Sequence, residues 1–511
     1  MPTTTVTTPY ATAMPYATGA LLTWTGEYDA QRLASYDLYD DLYDNSPDTA
    51  KMMLRGSDDD PVYLPTAKRL INTMSRYVGK GWTFADAEVK FDEEGNEVQV
   101  DTEQYALAVR AMRSLFVRER LTSIFHAGKK GFLRRGDWCW MISGDPLKAP
   151  NRRISVREID PRTYFPRHLD PTDLDRVTGC EIQEESVEEN GDFSVTVQRW
   201  VKAGDSLYDE AWAPEVAYEK VVYSMEDYAD PTKRKVLRTE TPLDTLPGVF
   251  ALPVYHIKNN EAGGNPYGRS ELAGLESLVA GINQSISDED LALAIAGLGM
   301  FWTDGGAPVD EEGEVTNWQL GPQEVIEVGK GSTFSRLDGI KSVEPSQTHI
   351  KFLQAEAYGV NGLSDVAMGT ASNVEAGISL ALKLSPVFDA ADEKDMAINA
   401  VLSQLLHDLR DWFLAYESID MSMVEFSSVT SSDDRMPFDR DARFTELMAL
   451  LAAGAVSLSF VHNELNSKFG YEIDALEAQA AVEALAARAQ AGDPYATRGN
   501  TELEDDDEPE A

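Results

Sequence analysis

Between Asn259 and Trp302 the chain carries a pattern that few folds can absorb. It opens Asn259-Asn260-Glu261-Ala262-Gly263-Gly264-Asn265-Pro266-Tyr267-Gly268-Arg269-Ser270, a run of turn formers closing on a serine suited to capping a helix. Leu272, Leu275, Leu278, Val279, Ile282 and Ile286 then recur at spacings of three and four, which lays one apolar stripe along a helix. Asp288 falls on the far side from that stripe, while Glu289 and Asp290 come back towards it. Beyond them Leu291-Ala292-Leu293-Ala294-Ile295-Ala296 is apolar on every side, so this half is expected to be buried all round. A helix from Ser270 to Met300 would be about 45 Å long at 1.5 Å per residue. That is long for a globular helix, and the heptads of a coiled coil are missing. The pattern fits a rod packed against copies of itself.

Several function classes are excluded before the rest is read. The chain has 511 residues, room for several domains, and 43% hydrophobic residues, as soluble proteins do. Cys139 and Cys180 make neither a disulfide framework nor a zinc pattern. Met1–Gly19 has no basic region or apolar core of signal-peptide length, and no charge-free apolar run is long enough to span a membrane. A net charge of −42 argues against wrapping DNA, since phosphate is bound by Lys and Arg, but not against a wall past which DNA slides. Gly329-Lys330-Gly331-Ser332-Thr333 imitates a phosphate-binding loop, yet Glu324 stands where that motif needs its first glycine and Gly331 where it needs Ser or Thr. No His-Glu-x-x-His, Gly-x-Ser-x-Gly or cysteine beside a base is present, and His256 has no second ligand at a metal-like spacing. Asp288, Glu289 and Asp290 are adjacent on a helix and point apart, so they read as a solvated acidic band rather than a metal site. No catalytic, cofactor-binding or metal-ligating residue is expected, and the chain is not read as an enzyme.

Taken in order, residues 1–19 read as a disordered arm. Leu33, Tyr36, Tyr39 and Tyr43 lie close to one face of a helix, a packing pattern. Leu64 to Met74 predicts another helix, leading to Trp82-Thr83-Phe84, and the acidic stretch Asp92–Asp101 around Gly95-Asn96 predicts a hairpin. Arg110–Arg167 is the one basic block, with Arg113, Arg118, Arg120, Lys129, Lys130, Arg134, Arg135, Arg152, Arg153 and Arg157. Pairing with carboxylates of the same or a neighbouring copy is favoured there over contact with DNA. Trp138-Cys139-Trp140-Met141-Ile142 reads as a buried strand, and strands are expected at Val195–Val201, Val216–Tyr223, Val236–Arg238 and Ala251–Ile257. After the long helix, turn residues and short strands near Trp318, Val325–Val328 and Phe334 predict a small β-rich insert. A helix from about His349 follows, then the small polar run Gly362–Asn373. A long helix with Pro386 inside it is expected to kink there, because proline removes an amide. Helices near Phe444–Ala453, Phe460–Lys468 and Ile473–Ala491 end the ordered chain, and Glu502–Glu510 is a run of like charge.

Asn265-Pro266-Tyr267-Gly268-Arg269-Ser270-Glu271-Leu272, with Leu278, Ile282-Asn283 and Ser287-Asp288 after it, resembles the lead-in turn and first stem helix of portal proteins of tailed double-stranded DNA bacteriophages, most closely the long-tailed type. By order of segments the resemblance runs from Arg32 to Ala491. It implies an α+β, mainly helical chain: a wing over 20–258, turn and first stem helix over 259–300, a clip over 301–346 and a second stem helix over 347–361. A tunnel loop over 362–373, a long kinked wing helix and connection over 374–439, a crown over 440–491 and a disordered acidic tail over 492–511 would complete it. Portal proteins form a ring, usually of about twelve subunits, at one capsid vertex, through which the genome is packaged and ejected. The resemblance implies Leu363, Ser364, Asp365, Met368, Thr370, Ser372 and Asn373 as the tunnel loop nearest DNA. It implies Trp318, Glu327 and Lys330 as clip residues that dock the motor and adaptor. The implied partners are copies of the chain, the terminase large subunit, major capsid and scaffolding proteins, a head–tail adaptor, and DNA passing without sequence-specific binding. The implied location is the virion vertex, with assembly in the host cytoplasm and no membrane or cofactor. The rival readings are a nucleotide-driven DNA-packaging enzyme component and another ring of the virion neck.

Overall fold

The computed structural model describes residues 26–46, 62–89, 101–168, 177–188, 191–202, 215–226, 228, 233–260, 265–298, 300–305, 314, 331–337, 342–369, 377–430 and 440–452, with 456, 460, 461 and 465. The chain divides into two compact units, Met1–Ser431 and Ser432–Ala511. It is α+β, as the sequence implies.

The first unit begins with α1 (Gly26–Asp44) and α2 (Thr66–Tyr77). Leu70, Ile71 and Met74 of α2 are buried on one face, the signature of its three- and four-residue apolar spacing. Strand β1 (Trp82–Glu88) leads to α3 (Thr102–Glu119), whose start is capped by Asp101 accepting from the Glu103 amide at 2.9 Å. Arg120, with φ 54°, turns the chain directly into α4 (Leu121–Arg135), which stops at Gly136 with φ 93°.

Strand β2 (Asp137–Gly144) is the centre of a three-stranded sheet, between β3 (Ile154–Ile159) and β9 (Val254–Lys258). Being covered on both faces, it reads as a continuous apolar run rather than an alternating one. Trp138, Trp140 and Ile142 enter the main core with Trp82, Phe125 and Phe132, while Cys139 and Met141 face a second cluster with Tyr164, Cys180 and Trp200. That second cluster sits under a five-stranded antiparallel meander, β4 (Tyr164–His168), β5 (Val177–Val187), β6 (Phe193–Lys202), β7 (Val216–Ser224) and β8 (Val236–Thr245).

After β9 come α5 (Glu276–Leu298), β10 (Met300–Thr303), β11 (Phe334–Leu337), α6 (Glu344–Gly359) and α7 (Gly377–Trp412) with Pro386 inside it. A π-helical turn over Phe413–Glu417 and β12 (Val424–Thr430), paired with β1, complete this unit. Helix α8 (Arg440–Ala452) belongs to the second unit and matches the expected Phe444–Ala453 helix. The other crown helices, the hairpin expected at Asp92–Asp101, the terminal arm and the acidic tail lie almost wholly outside the described residues.

The first stem helix differs from expectation in its start and length. It opens at Glu276, not Ser270, and its 23 residues span about 34 Å. Ser270 does cap backbone, but its oxygen accepts from the Leu272 amide at 3.0 Å while its hydroxyl donates to the Arg134 carbonyl, and Gly274 at φ 88° turns the chain once more. Gly268 fixes where that turn docks. A Cβ there would lie 2.1 Å from the Gly136 carbonyl oxygen and 2.6 Å from the Asn259 nitrogen, both backbone atoms. Gly268→Ala should therefore destabilise the fold by about 1–3 kcal/mol, as overpacking against unyielding neighbours does, read as a lower denaturant midpoint.

Candidate functional site

Helices α5 and α6 form an antiparallel hairpin with the β10–β11 ribbon at its end. Glu289 accepts from Gln347 Nε2 at 3.1 Å and Gly281 faces Leu353, so residue numbers run in opposite directions across the pair. The first half of α5 is anchored in the body, with Leu275, Val279 and Ile282 buried. Two polar residues interrupt that buried face. Asn283 Oδ1 accepts from the Leu64 amide and Ser287 Oγ from the Val62 amide, each at 3.0 Å, so they strap an extended segment along the helix. Both belong to the quoted sequence motif, and their backbone-binding role was not legible there.

The second half of α5 behaves differently. Leu291 is 52% exposed and Leu293 48%, although the sequence predicts burial all round. Leu293 lies on the same helical face as the buried Ile282 and Leu275, so the exposure arises because the helix runs past the body, with α6 beside it. On α6, Ile350, Ala357 and Tyr358 are buried, whereas Phe352 on the opposite side is 57% exposed. Of the acidic band, Asp288 is exposed and accepts from Gln284 at 2.8 Å, Asp290 is exposed, and Glu289 is partly covered by its bond to Gln347.

The loop after α6 departs from the tunnel-loop expectation in detail. Leu363 and Met368 are buried, at 2% and 8%, and pack into the main core, so their side chains do not face outward. The hydrophobic effect pulls these two apolar residues inward, leaving Ser364 half-buried and Asp365 exposed. Thr370, Ser372 and Asn373, and the clip residues Trp318, Glu327 and Lys330, lie outside the described residues.

Two buried polar nodes set where the hairpin leaves the body. At the first, Glu271 Oε1 accepts from Asn259 Nδ2, Asn260 Nδ2 and Lys394 Nζ, each at 2.8 Å, and the Glu271 carbonyl accepts from Asn361 at 3.1 Å. It ties the lead-in turn, α7 and the end of α6 together. Sequence reading missed Lys394, though a signal was present: it interrupts the apolar positions Leu384, Val387, Ala391 and Ile398 at helical spacing.

At the second, Asp137 accepts from the Gly268 amide at 2.7 Å, from the Tyr36 hydroxyl, and from His256 Nε2 at 2.6 Å, which must carry the proton because the carboxylate only accepts. His256 therefore has the packed structural role expected of it, with a partner 119 residues away that no spacing motif reveals. Burial pushes the Asp137 carboxyl up, but the donors from His256, Tyr36 and Gly268 outweigh it and hold the carboxyl below its usual range.

Part of the basic block is tied down within the chain. Arg134 and Arg135 pair with Asp40 at 2.5 and 2.8 Å, and Arg157 lies 3.9 Å from Glu184. Arg118 donates to the carbonyls of Asn151 and Ile154, Arg153 to that of Tyr416, and Lys129 to those of Val78 and Gly79. The carboxylate pairing favoured from sequence holds for the first three and for Arg118, which also meets Glu119 at 2.9 Å, and backbone carbonyls take Arg153 and Lys129. Among the described residues no group of three His, Cys, Asp or Glu could hold a metal ion, and no helix is long and apolar enough to cross a membrane.

No family model matches the sequence, and no curated protein matches it. Among solved structures, the chain is similar to one in the neck of a native gene transfer agent particle computed with C12 symmetry. The TM-score is 0.40 and the identity 12%, covering 78% of this chain and 88% of that one. A chain in the virion of a native gene transfer agent particle gives a TM-score of 0.39 at 11% identity, covering 82% and 97%. At these low scores the functional reading rests on the chain's own geometry.

Removing one partner of the Glu271–Lys394 pair leaves a buried charge uncompensated. Lys394→Met should cost about 3–5 kcal/mol, and pairing it with Glu271→Gln should recover part of that, a coupling that a double-mutant cycle in denaturant measures. For Asp137 the sign follows from its depressed value in the fold. Its contribution is complete above the unfolded value and is lost as pH falls through the folded one. Asp137→Asn should lower stability at neutral pH, with the gap to the natural protein narrowing as the solution is taken below the ordinary carboxylate range. A gap independent of pH would show that the carboxylate is not ionised in the fold.

Proposed function

We propose that this chain is the subunit of a portal-type ring: a conduit at a virion vertex through which double-stranded DNA is packaged and ejected. The observation that carries the reading is the projecting half of α5, apolar in sequence yet exposed in the single chain at Leu291 and Leu293, with Phe352 exposed on its partner helix. An apolar rod left in water is costly, and adjoining copies in a closed ring cover it without leaving open ends. In this reading the α5–α6 hairpin is the stem, the β10–β11 ribbon begins the clip, the loop after α6 borders the channel, and the meander belongs to the wing. Ser364 and Asp365 are then the described loop residues turned to the channel, with Thr370, Ser372 and Asn373 after them.

The stem carboxylates give the conduit its physics. Asp288, opposite the apolar stripe and repeated around a ring, repels phosphate over the 8–10 Å that salt leaves unscreened, which keeps a duplex centred and prevents any one register from trapping it. The motor and adaptor would engage the clip around Trp318, Glu327 and Lys330, and the capsid and scaffolding proteins the outer body. The phosphate-loop imitation at Lys330 lacks its first glycine, so no nucleotide turnover is assigned to the chain.

Light scattering of the purified chain should give a mass near twelve subunits, and a stable monomer at micromolar concentration would overturn the ring. Replacing Asp288, Glu289 and Asp290 with lysine should slow or stall packaging, more severely at low salt, whereas Asn or Gln should be milder. Equal packaging rates for both rings at every salt concentration would remove these carboxylates from the channel wall.

A further inference from the structure

Two exposed helix faces on the body carry complementary charge and flanking apolar residues. On α3, Glu103, Ala106, Leu107, Arg110, Arg113, Ser114 and Val117 form one exposed face at helical spacing, with Leu107 48% and Val117 79% exposed. Arg110 and Arg113 sit at its centre, and neither meets a carboxylate among the described residues, unlike Arg134 and Arg135 farther along the basic block.

On α7 the exposed face runs through Leu382, Pro386, Asp389, Glu393 and Met396, with Leu382 72% and Met396 66% exposed. Glu393 has no partner among the described residues, and Asp389 receives only a long bond of 3.4 Å from Ser385. Both faces therefore have one pair of charges a helical turn apart, about 4.5 Å of rise for the arginines and about 6 Å for the carboxylates, with large apolar side chains on either side.

The two exposed faces belong to different helices of one unit, so one copy can offer each to a different neighbour. Helix α3 lies along β1, where Phe116 meets Phe84 and Tyr105 donates to Asp86 at 2.6 Å. Helix α7 lies along β12, where Ser403 and Asn399 accept from the backbone amides of Ser428 and Thr430. Helix α3 packs on α4, α4 on α2 and α2 on α7, while α3 and α7 both also touch β12.

We infer that α3 of one copy docks on α7 of the next, with Arg110 and Arg113 meeting Asp389 and Glu393 and the apolar residues closing around them. Such a contact is heterologous, one surface against a different one, and repeated rotation closes it into a ring. Charge complementarity selects the occupant: the exposed arginines need carboxylates, and the matching carboxylates lie on the same chain. The inference rests on the ring reading and adds its body contact, separate from the stem.

The test uses full-length chains in two variants. Arg110→Glu with Arg113→Glu makes both faces acidic; Asp389→Lys with Glu393→Lys makes both basic. Each variant alone should lose the ring and run as monomer or small species in light scattering, while circular dichroism stays that of the natural protein. Mixed in equal amounts, the two should reassemble into rings of alternating subunits, and a chain carrying all four changes should assemble by itself. If each variant assembles like the natural protein, the contact is wrong and the ring stands. If both fail singly and neither the mixture nor the fourfold variant recovers the ring, the two faces do not meet, and the inference is overturned. A natural protein that is monomeric overturns both it and the ring.

Discussion

A single buried carboxylate, Asp137, holds together the parts on which the arrangement depends. It sits at the first residue of the central strand β2 and accepts from Tyr36 of α1, His256 of β9 and the backbone amide of Gly268 in the lead-in turn. An ionised carboxylate with 1% exposure is tolerable only because its oxygens are supplied with donors. Each donor arrives from a different segment, so satisfying one charge fixes four segments at once. Nearby, Arg32 donates to the Pro161 carbonyl at 2.7 Å, pairs with Asp29 and lies 4.2 Å over the Tyr267 ring, extending the same lock to the sheet side. Asn259, Pro266, Tyr267 and Ser270 are therefore buried, despite a composition that reads as loop.

Consequences pass outward from that fixed turn. Because Gly268 lies against the Gly136 carbonyl and Glu271 is tied to Lys394, α5 can leave the body in one direction only. Tyr39 adds a bond from α1 to Glu276, the first residue of α5, at 2.8 Å. The helix then changes environment along its length: core packing to about Ser287, then α6 beside exposed Leu291 and Leu293 among the described residues. A rigid root and an apolar, unsupported end are what a stem needs if its neighbours supply the remaining packing. Had the root been loose, the exposed leucines would more easily fold back onto the body.

Legibility in the sequence followed how local each cause was. The apolar periodicities of α2, α5 and α7, the buried strand at Trp138–Ile142 and the break after α6 were all readable, because each depends on neighbours in the chain. The start of α5 was misplaced by six residues, since the turn that Ser270 caps is interrupted at Gly274, whose φ of 88° is left-handed, before the helix opens at Glu276. Leu363 and Met368 were assigned to a channel-facing loop by the resemblance to portal proteins. Their own hydrophobicity, weighed residue by residue, pointed to the core where they lie. The pairs Asp137–His256 and Glu271–Lys394 join residues more than a hundred positions apart and left only one trace, a lysine within an apolar stripe.

The charge distribution sets a further constraint. A chain carrying −42 repels its own copies, and bringing many into one ring raises that cost unless attraction is placed where the copies touch. The basic residues are too few to neutralise the surface, and several are committed inside the chain, as Arg134 and Arg135 are to Asp40 and Lys129 is to the carbonyls of Val78 and Gly79. An arginine that stays exposed without a carboxylate in such a chain is therefore informative in a way that an exposed aspartate is not. Arg110 and Arg113 lie together on one helix face and offer attraction at close range. In the proposed ring, the wider acidic field would keep rings apart from one another and keep DNA from adhering to the wall. Short-range attraction at the subunit boundary and longer-range repulsion elsewhere are compatible because salt screens the second more strongly than a contact that excludes water.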